Sequence, residues 1–177
     1  MIIDNLIPLE EQSYARAIPI IGREKGKWLL KMIVKLKPKL ILELGTANGY
    51  SGIILGSEGA ELTTVDQNPR IIEEARQNFS QFNIKAEIIF GEGVKVVKRL
   101  VSQKKQYDLI FLDFAKKNYI LVLDDCLKLL KTGGHLIADN ITKDDCRNFK
   151  EVVLNHKQLK TEIIMIEDGL SCSRKIS

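Results

Sequence analysis

Cysteine and histidine are scarce in this chain, with three of the first and two of the second. Cys126, Cys146 and Cys172 are far apart, odd in number and free of any C-x-x-C pairing, which argues against a disulfide framework and against a zinc cluster. A reducing, cytoplasmic compartment is the expected setting. The first residues, 1–9, carry Asp4 and lack a basic region followed by a long apolar run, and no stretch approaches membrane-spanning length. Neither secretion nor membrane insertion is therefore expected. A Walker lysine, internal repeats, linkers and low-complexity segments are also missing.

What is there suits an ordinary globular domain. At 177 residues the chain can bury a sizeable core without staples, and 45% apolar with 28% charged residues is close to the soluble average. The expectation is one domain over 1–177, with 1–37 as a helical cap region and 38–177 as the core. The net charge of +4 comes from scattered bases such as Lys95, Lys98, Arg99, Lys104 and Lys105. These read as a solvated face, with an anionic partner such as RNA as the alternative.

Short apolar runs recur along the chain at 39–44, 62–65, 86–90, 107–112 and 135–138, each closed by Gly, Asp or Asn, as buried parallel strands are. Helical periods lie between them: 69–82, with Ile72, Ala75 and Phe79 on one face and Pro69 in the first turn, then 94–101 and 120–130. The run Lys131-Thr-Gly-Gly134 reads as a helix stop. Residues 160–167 and 171–176 are strand-like and joined by Asp168-Gly169, a hairpin signal. Residues 14–36 predict one or two helices over the sheet. The implied fold is α/β and Rossmann-like: a doubly wound, mostly parallel sheet of seven strands ending in an antiparallel hairpin.

The first strand runs into Glu43-Leu-Gly45-Thr46-Ala47-Asn48-Gly49-Tyr50-Ser51, where glycines permit a sharp turn close to a ligand. The spacing is G-x-x-x-G, and Ala47 stands where a dinucleotide fold wants its second glycine, which weakens a dehydrogenase reading. Asp66 ends the second strand, where a carboxylate can accept from a ribose diol; it could equally cap the helix beginning at Pro69.

Asp113 closes the fourth strand, and Asp139 with Asn140 closes the fifth. If those strands are parallel neighbours, their ends lie about 5 Å apart and three oxygen donors converge. Two carboxylates that close repel one another, and a cation removes the repulsion. An all-oxygen set favours Mg²⁺, with Mn²⁺ and Ca²⁺ as alternatives. Separately, Asp113 could be a helix cap and Asp139-Asn140 a polar loop.

Five stretches in order, 42–51, 64–69, 111–119, 133–140 and 168–170, resemble the cation-dependent O-methyltransferases of the catechol and caffeoyl-CoA type over nearly the whole chain. The resemblance implies S-adenosylmethionine as cofactor, held by Glu43, Gly45, Thr46, Gly49, Ser51, Asp66, Gln67, Gly91, Glu92 and Asp113. Glu43, Gly45 and Ser51 would line its methionine part and Asp66 its ribose. Glu92 stands in Gly91-Glu-Gly93 where the family usually has Gly-Asp-Ala, so it could instead be an acidic residue of a helix's first turn. The same resemblance implies a metal triad of Asp113, Asp139 and Asn140 and makes Lys116 the base that takes the acceptor's proton, although this chain reads Asp-Phe-Ala-Lys where the family often reads Asp-Ala-Asp-Lys. Tyr119 is expected to brace that loop, His135 to be a core histidine, His156 to sit at a helix end, and Trp28 either to wall the pocket or to cover the sheet.

The function implied is methyl transfer to a hydroxyl of a small catechol-like or polyphenolic acceptor. A hydroxylated tRNA uridine is the alternative acceptor and a homodimer the alternative to a single chain. A non-catalytic nucleotide-binding module is the reading from another class.

Overall fold

The computed structural model describes residues 2–177. Seven strands form one sheet: β1 (Leu40–Leu44), β2 (Glu61–Asp66), β3 (Ala86–Phe90), β4 (Tyr107–Leu112), β5 (Leu130–Asp139), β6 (Leu159–Ile164) and β7 (Leu170–Lys175). Their order is β3-β2-β1-β4-β5-β7-β6. The first five are parallel to one another, whereas β7 runs antiparallel to both β5 and β6. The doubly wound sheet expected from the alternating pattern is therefore the fold adopted.

The helices are α1 (Ile2–Asn5), α2 (Ile7–Ala15), α3 (Gly22–Leu36), α4 (Tyr50–Gly56), α5 (Pro69–Gln81), α6 (Gly93–Ser102), α7 (Tyr119–Leu129) and α8 (Arg147–Asn155). Strand side chains alternate between two cores, as a period of two requires. In β4, Leu109 and Phe111 join a core with residues of α3, α4 and α5, while Ile110 and Leu112 face Val97, Val122 and Phe149 from α6, α7 and α8. Helix α5 starts as its sequence predicts, but the cap is Asn68, whose side chain accepts from Arg70 and Ile71 N–H groups.

Three details differ from the sequence expectation. The N-terminal helices begin well before residue 14, because Ile3, Leu6 and Leu9 are apolar at a helical spacing and bury against the α3–α4 side. Lys131–Gly134 is part of β5, which starts directly after α7; its ladder to β4 bulges between Tyr107 and Leu109, and a Cβ on Gly134 would lie 2.8 Å from the Asp108 carbonyl oxygen. The β6–β7 link spans 165–169, longer than a two-residue turn, with Glu167 and Gly169 both at positive φ. Among the described residues no helix is long and apolar enough to cross a membrane.

Candidate active site

The chain reverses direction across the sheet between β1 and β4, and a cavity of about 390 Å³ opens there at the carboxyl ends of the strands. In open α/β sheets such a switch point is where ligands bind. Gly45 makes the cavity's floor by close approach: it holds φ +108°, and a Cβ there would meet the Asp113 carbonyl oxygen at 2.1 Å. The Asp113 N–H donates to the Leu44 carbonyl at 2.8 Å, tying the two strand ends together.

Eight of the residues expected at the cofactor, Gly45, Thr46, Ser51, Asp66, Gln67, Gly91, Glu92 and Asp113, line this cavity, as does Lys116. Glu43 and Gly49 do not. Gly49 caps α4, and Glu43 is fully buried below the lining, reached through Ser51, whose hydroxyl donates to it at 2.5 Å. Thr64 donates to the other Glu43 oxygen at 2.6 Å. With that proton committed, the 2.7 Å contact between Thr46 and Thr64 hydroxyls has Thr46 as donor. Burial pushes the Glu43 carboxyl up to about 8, against the pull of the two hydroxyl donors and with help from the charges of Asp113 and Asp66.

Asp66 holds the loop. Its Oδ2 accepts from the Ala47 N–H at 3.0 Å and its Oδ1 from the Asn68 N–H at 2.9 Å. Ala47 sits at φ +44°, an uncommon conformation for a residue with a Cβ, at the cavity wall. Glu92 occupies the N-cap position of α6 without a capping bond and pairs with exposed Lys95 at 3.0 Å.

On the other side, β4 and β5 are neighbours with Leu112 opposite Ala138, so Asp113 and Asp139 leave adjacent strand ends, as expected. Lys116 Nζ donates to Asp113 Oδ1 at 2.6 Å. Asp139 is 2% exposed, and burial, then the charge of Asp113, raises its pKa despite the opposing pull of Lys25. Asn140 turns at φ +56°, which asparagine tolerates, and its Nδ2 donates to Asp168 Oδ2 at 2.6 Å. Asp168 is held down at about 2: burial opposes ionisation, but the hydrogen bonds of Lys25 and Asn140 outweigh it.

Lys25 is the site residue that sequence reasoning missed. It is 1% exposed, its Nζ donates to Asp139 Oδ1 at 2.5 Å and also to Asp168, and those bonds raise its pKa against burial. The available signal was its position four residues before Leu29 and eight before Ile33, on the buried face of α3. Pro19, Ile20, Ala47, Tyr50, Phe114 and Asn118 also line the cavity and were not singled out for it. Tyr119 braces the lysine loop as expected, donating to the Leu112 carbonyl at 2.9 Å and stacking on Phe114. Trp28 lines a groove with His135 and packs into the sheet's apolar core, away from the cavity, so it covers the sheet. His135 is half-buried in β5, and His156 follows the end of α8.

Among the described residues no group of three or more His, Cys, Asp or Glu is disposed to hold a metal. The candidate donors are two carboxylates and one amide, all oxygen, and they suit a hard cation. Asp139 is buried at a strand end next to that of Asp113, and a cation there would offset both its desolvation and its repulsion from Asp113, so this donor set fits the ion.

A cleft at the β1–β4 switch point with this sheet order defines a Rossmann-like methyltransferase architecture. The family model described as O-methyltransferase matches residues 2–176, and the chain belongs to that family. Catechol O-methyltransferase B from Danio rerio is 31% identical over 170 residues, covering 86% of this chain and 64% of that protein. Bovine (Bos taurus) catechol O-methyltransferase is 29% identical over 153 residues, covering 79% of this chain and 55% of its own length. The chain thus spans somewhat less than two thirds of these relatives. A solved structure from Staphylococcus aureus, described as that of a caffeoyl-CoA O-methyltransferase, superposes with a TM-score of 0.86 at 26% identity, covering 98% of this chain and 91% of that one. The O-methyltransferase from Bacillus cereus in complex with SAH shares the fold, with a TM-score of 0.82 at 21% identity over 98% of this chain and 90% of its own.

Proposed function

We propose that this chain is an S-adenosylmethionine-dependent, divalent-cation-dependent O-methyltransferase acting on a hydroxyl of a small catechol-like or polyphenolic acceptor. The observation that carries the reading is the position of Asp113. It lines the cavity, bonds to Lys116 and raises the pKa of Asp139 on the adjacent strand, so one carboxylate joins the cofactor cleft to the acidic cluster. Family membership and the relatives' catechol chemistry support it.

Gly45, Thr46 and Ser51 would hold the methionine end of the cofactor, with Glu43 acting from behind through Ser51 and Gly49 shaping the turn into α4; Asp66 and Gln67 would hold the ribose, and Gly91 and Glu92 the adenine side. Asp113, Asp139 and Asn140 would hold the cation. S-adenosylmethionine would supply there a methyl group activated by its sulfonium sulfur, and Mg²⁺, or Mn²⁺ or Ca²⁺ in its place, would supply the positive charge that favours ionisation of the acceptor hydroxyl. Lys116 Nζ, oriented by its 2.6 Å bond to Asp113, would be the group that takes the acceptor's hydroxyl proton. Tyr119 and Phe114 keep the loop between them rigid. The chain acts as one domain, and the segment between α2 and α3 closes the cleft through Pro19 and Ile20. No observation among the described residues favours tRNA as acceptor or a homodimer.

The test is a methyl-transfer screen of catechols, flavonoids and unmodified tRNA with labelled cofactor. Turnover of a vicinal diol that EDTA abolishes and Mg²⁺ restores is expected. Transfer untouched by EDTA removes the cation from the reading, and binding of S-adenosylhomocysteine with no transfer to any acceptor favours a non-catalytic module.

A further inference from the structure

Resting on that reading, we infer that Asp168, clamped by Lys25, is a positioning residue that turns the Asn140 amide so that its oxygen faces the cation site. Asp168 accepts from Lys25, from Lys143 at 3.2 Å and from the Asn140 side chain at 2.6 Å. A carboxylate between two ammonium groups is an acceptor only, so the amide beside it must present its NH₂. The Asn140 Oδ1 is thereby directed away from Asp168 and cannot exchange places with the nitrogen without losing a charge-assisted bond.

The surroundings hold this arrangement from three elements. The turn after β5 is laced to the β6–β7 link: Ile141 N–H donates to the Gly169 carbonyl at 3.1 Å, and the Thr142 N–H and hydroxyl donate to the Asp168 carbonyl at 3.1 and 2.9 Å. Asn140 itself is set at φ +56°. Lys25, arriving from α3, joins Asp139 and Asp168 with one buried ammonium, so the carboxylate that would hold the cation and the one that turns its amide neighbour share one anchor. Groups that orient ligands in this way typically change metal affinity by about 10- to 100-fold.

The experiment is a double-mutant cycle on Mn²⁺ affinity, read by electron paramagnetic resonance of free Mn²⁺ with the full chain. Asp168→Ala in the wild-type background is expected to weaken binding by about 10- to 100-fold. In an Asn140→Ala background the same change is expected to do almost nothing, because the amide it acts through is gone. Equal weakening in both backgrounds would mean that Asp168 acts by charge alone, and no weakening in either would mean that it does not act; both overturn the inference. Wild type that fails to bind Mn²⁺ overturns the cation reading itself, and the inference with it. Each variant is checked by thermal melting and S-adenosylhomocysteine binding, and if Asp168→Ala does not fold, Asp168→Ser, too short to reach the amide, carries the cycle.

Discussion

On the β1–β2 side of the cleft, Glu43 is surrounded by hydroxyl groups; on the β4–β5 side, Asp113, Asp139 and Asp168 are surrounded by ammonium groups. Ser51 and Thr64 donate neutral hydrogen bonds to Glu43, and these do not offset its burial, so the carboxyl rises to about 8 and can hold a proton. Lys116 and Lys25 instead donate to Asp113, Asp139 and Asp168. The first arrangement ties a buried carboxyl into a hydroxyl network behind the cleft. The second collects charge of both signs in one place, the arrangement on which the proposed proton transfer and cation binding rest. Gly45 lets the two sides meet, because only a residue without Cβ fits against the Asp113 carbonyl.

The sharpest break in this contrast is expected at Lys116. Lys116→Met should lower kcat by about 10²- to 10⁴-fold, the usual contribution of a positioned acid or base, while calorimetry shows S-adenosylhomocysteine binding unchanged. Loss of cofactor binding instead would move Lys116 to the neutral side of the comparison. Lys25→Met comes next: it leaves the buried Asp139 and its neighbour Asp168 without their shared ammonium, and denaturant unfolding should show a loss of about 3–5 kcal/mol. A change below about 1 kcal/mol, the level of an exposed pair, would mean that water takes over the role of the lysine.

A smaller, pH-dependent effect tests the hydroxyl side. The Glu43 carboxyl titrates near 4.5 when unfolded and at about 8 in the fold. Between those values the native state binds the extra proton, so the contribution of Glu43 to stability is fully present below about 4.5 and is lost as pH rises through about 8. Melting temperatures of the ligand-free protein should fall less steeply across that window in Glu43→Gln than in wild type; identical slopes would show that Glu43 stays ionised. The smallest effect is expected from Tyr119→Phe, which removes one hydrogen bond to the buried Leu112 carbonyl and should reduce stability by about 1 kcal/mol with little change in cofactor affinity.

The hydroxyl side was the more legible of the two. Glu43, Gly45 and Ser51 lie within one strand-turn-helix, so a local motif brings them together, and Asp66 follows on the neighbouring strand. Asp113 and Asp139 were legible as strand-end carboxylates, and the sheet order then made those ends adjacent. Lys25 was hidden because its partner Asp139 lies 114 positions away; on its own helix it is one lysine among several. Asp168 was visible as a turn residue, but which side chains that turn would face was not. Trp28 had two readings that only the packing of α3 could separate.

Periodicity and turn chemistry, which act between near neighbours, determined the seven strands, the parallel run of the first five and the antiparallel pair at the end. Burial and ion pairing depend on which distant segments meet. Only the tertiary structure decided that a lysine of α3 would be sealed between two carboxylates, that Asp168 would face Asn140, and that the glycines at 133–134 would continue a strand.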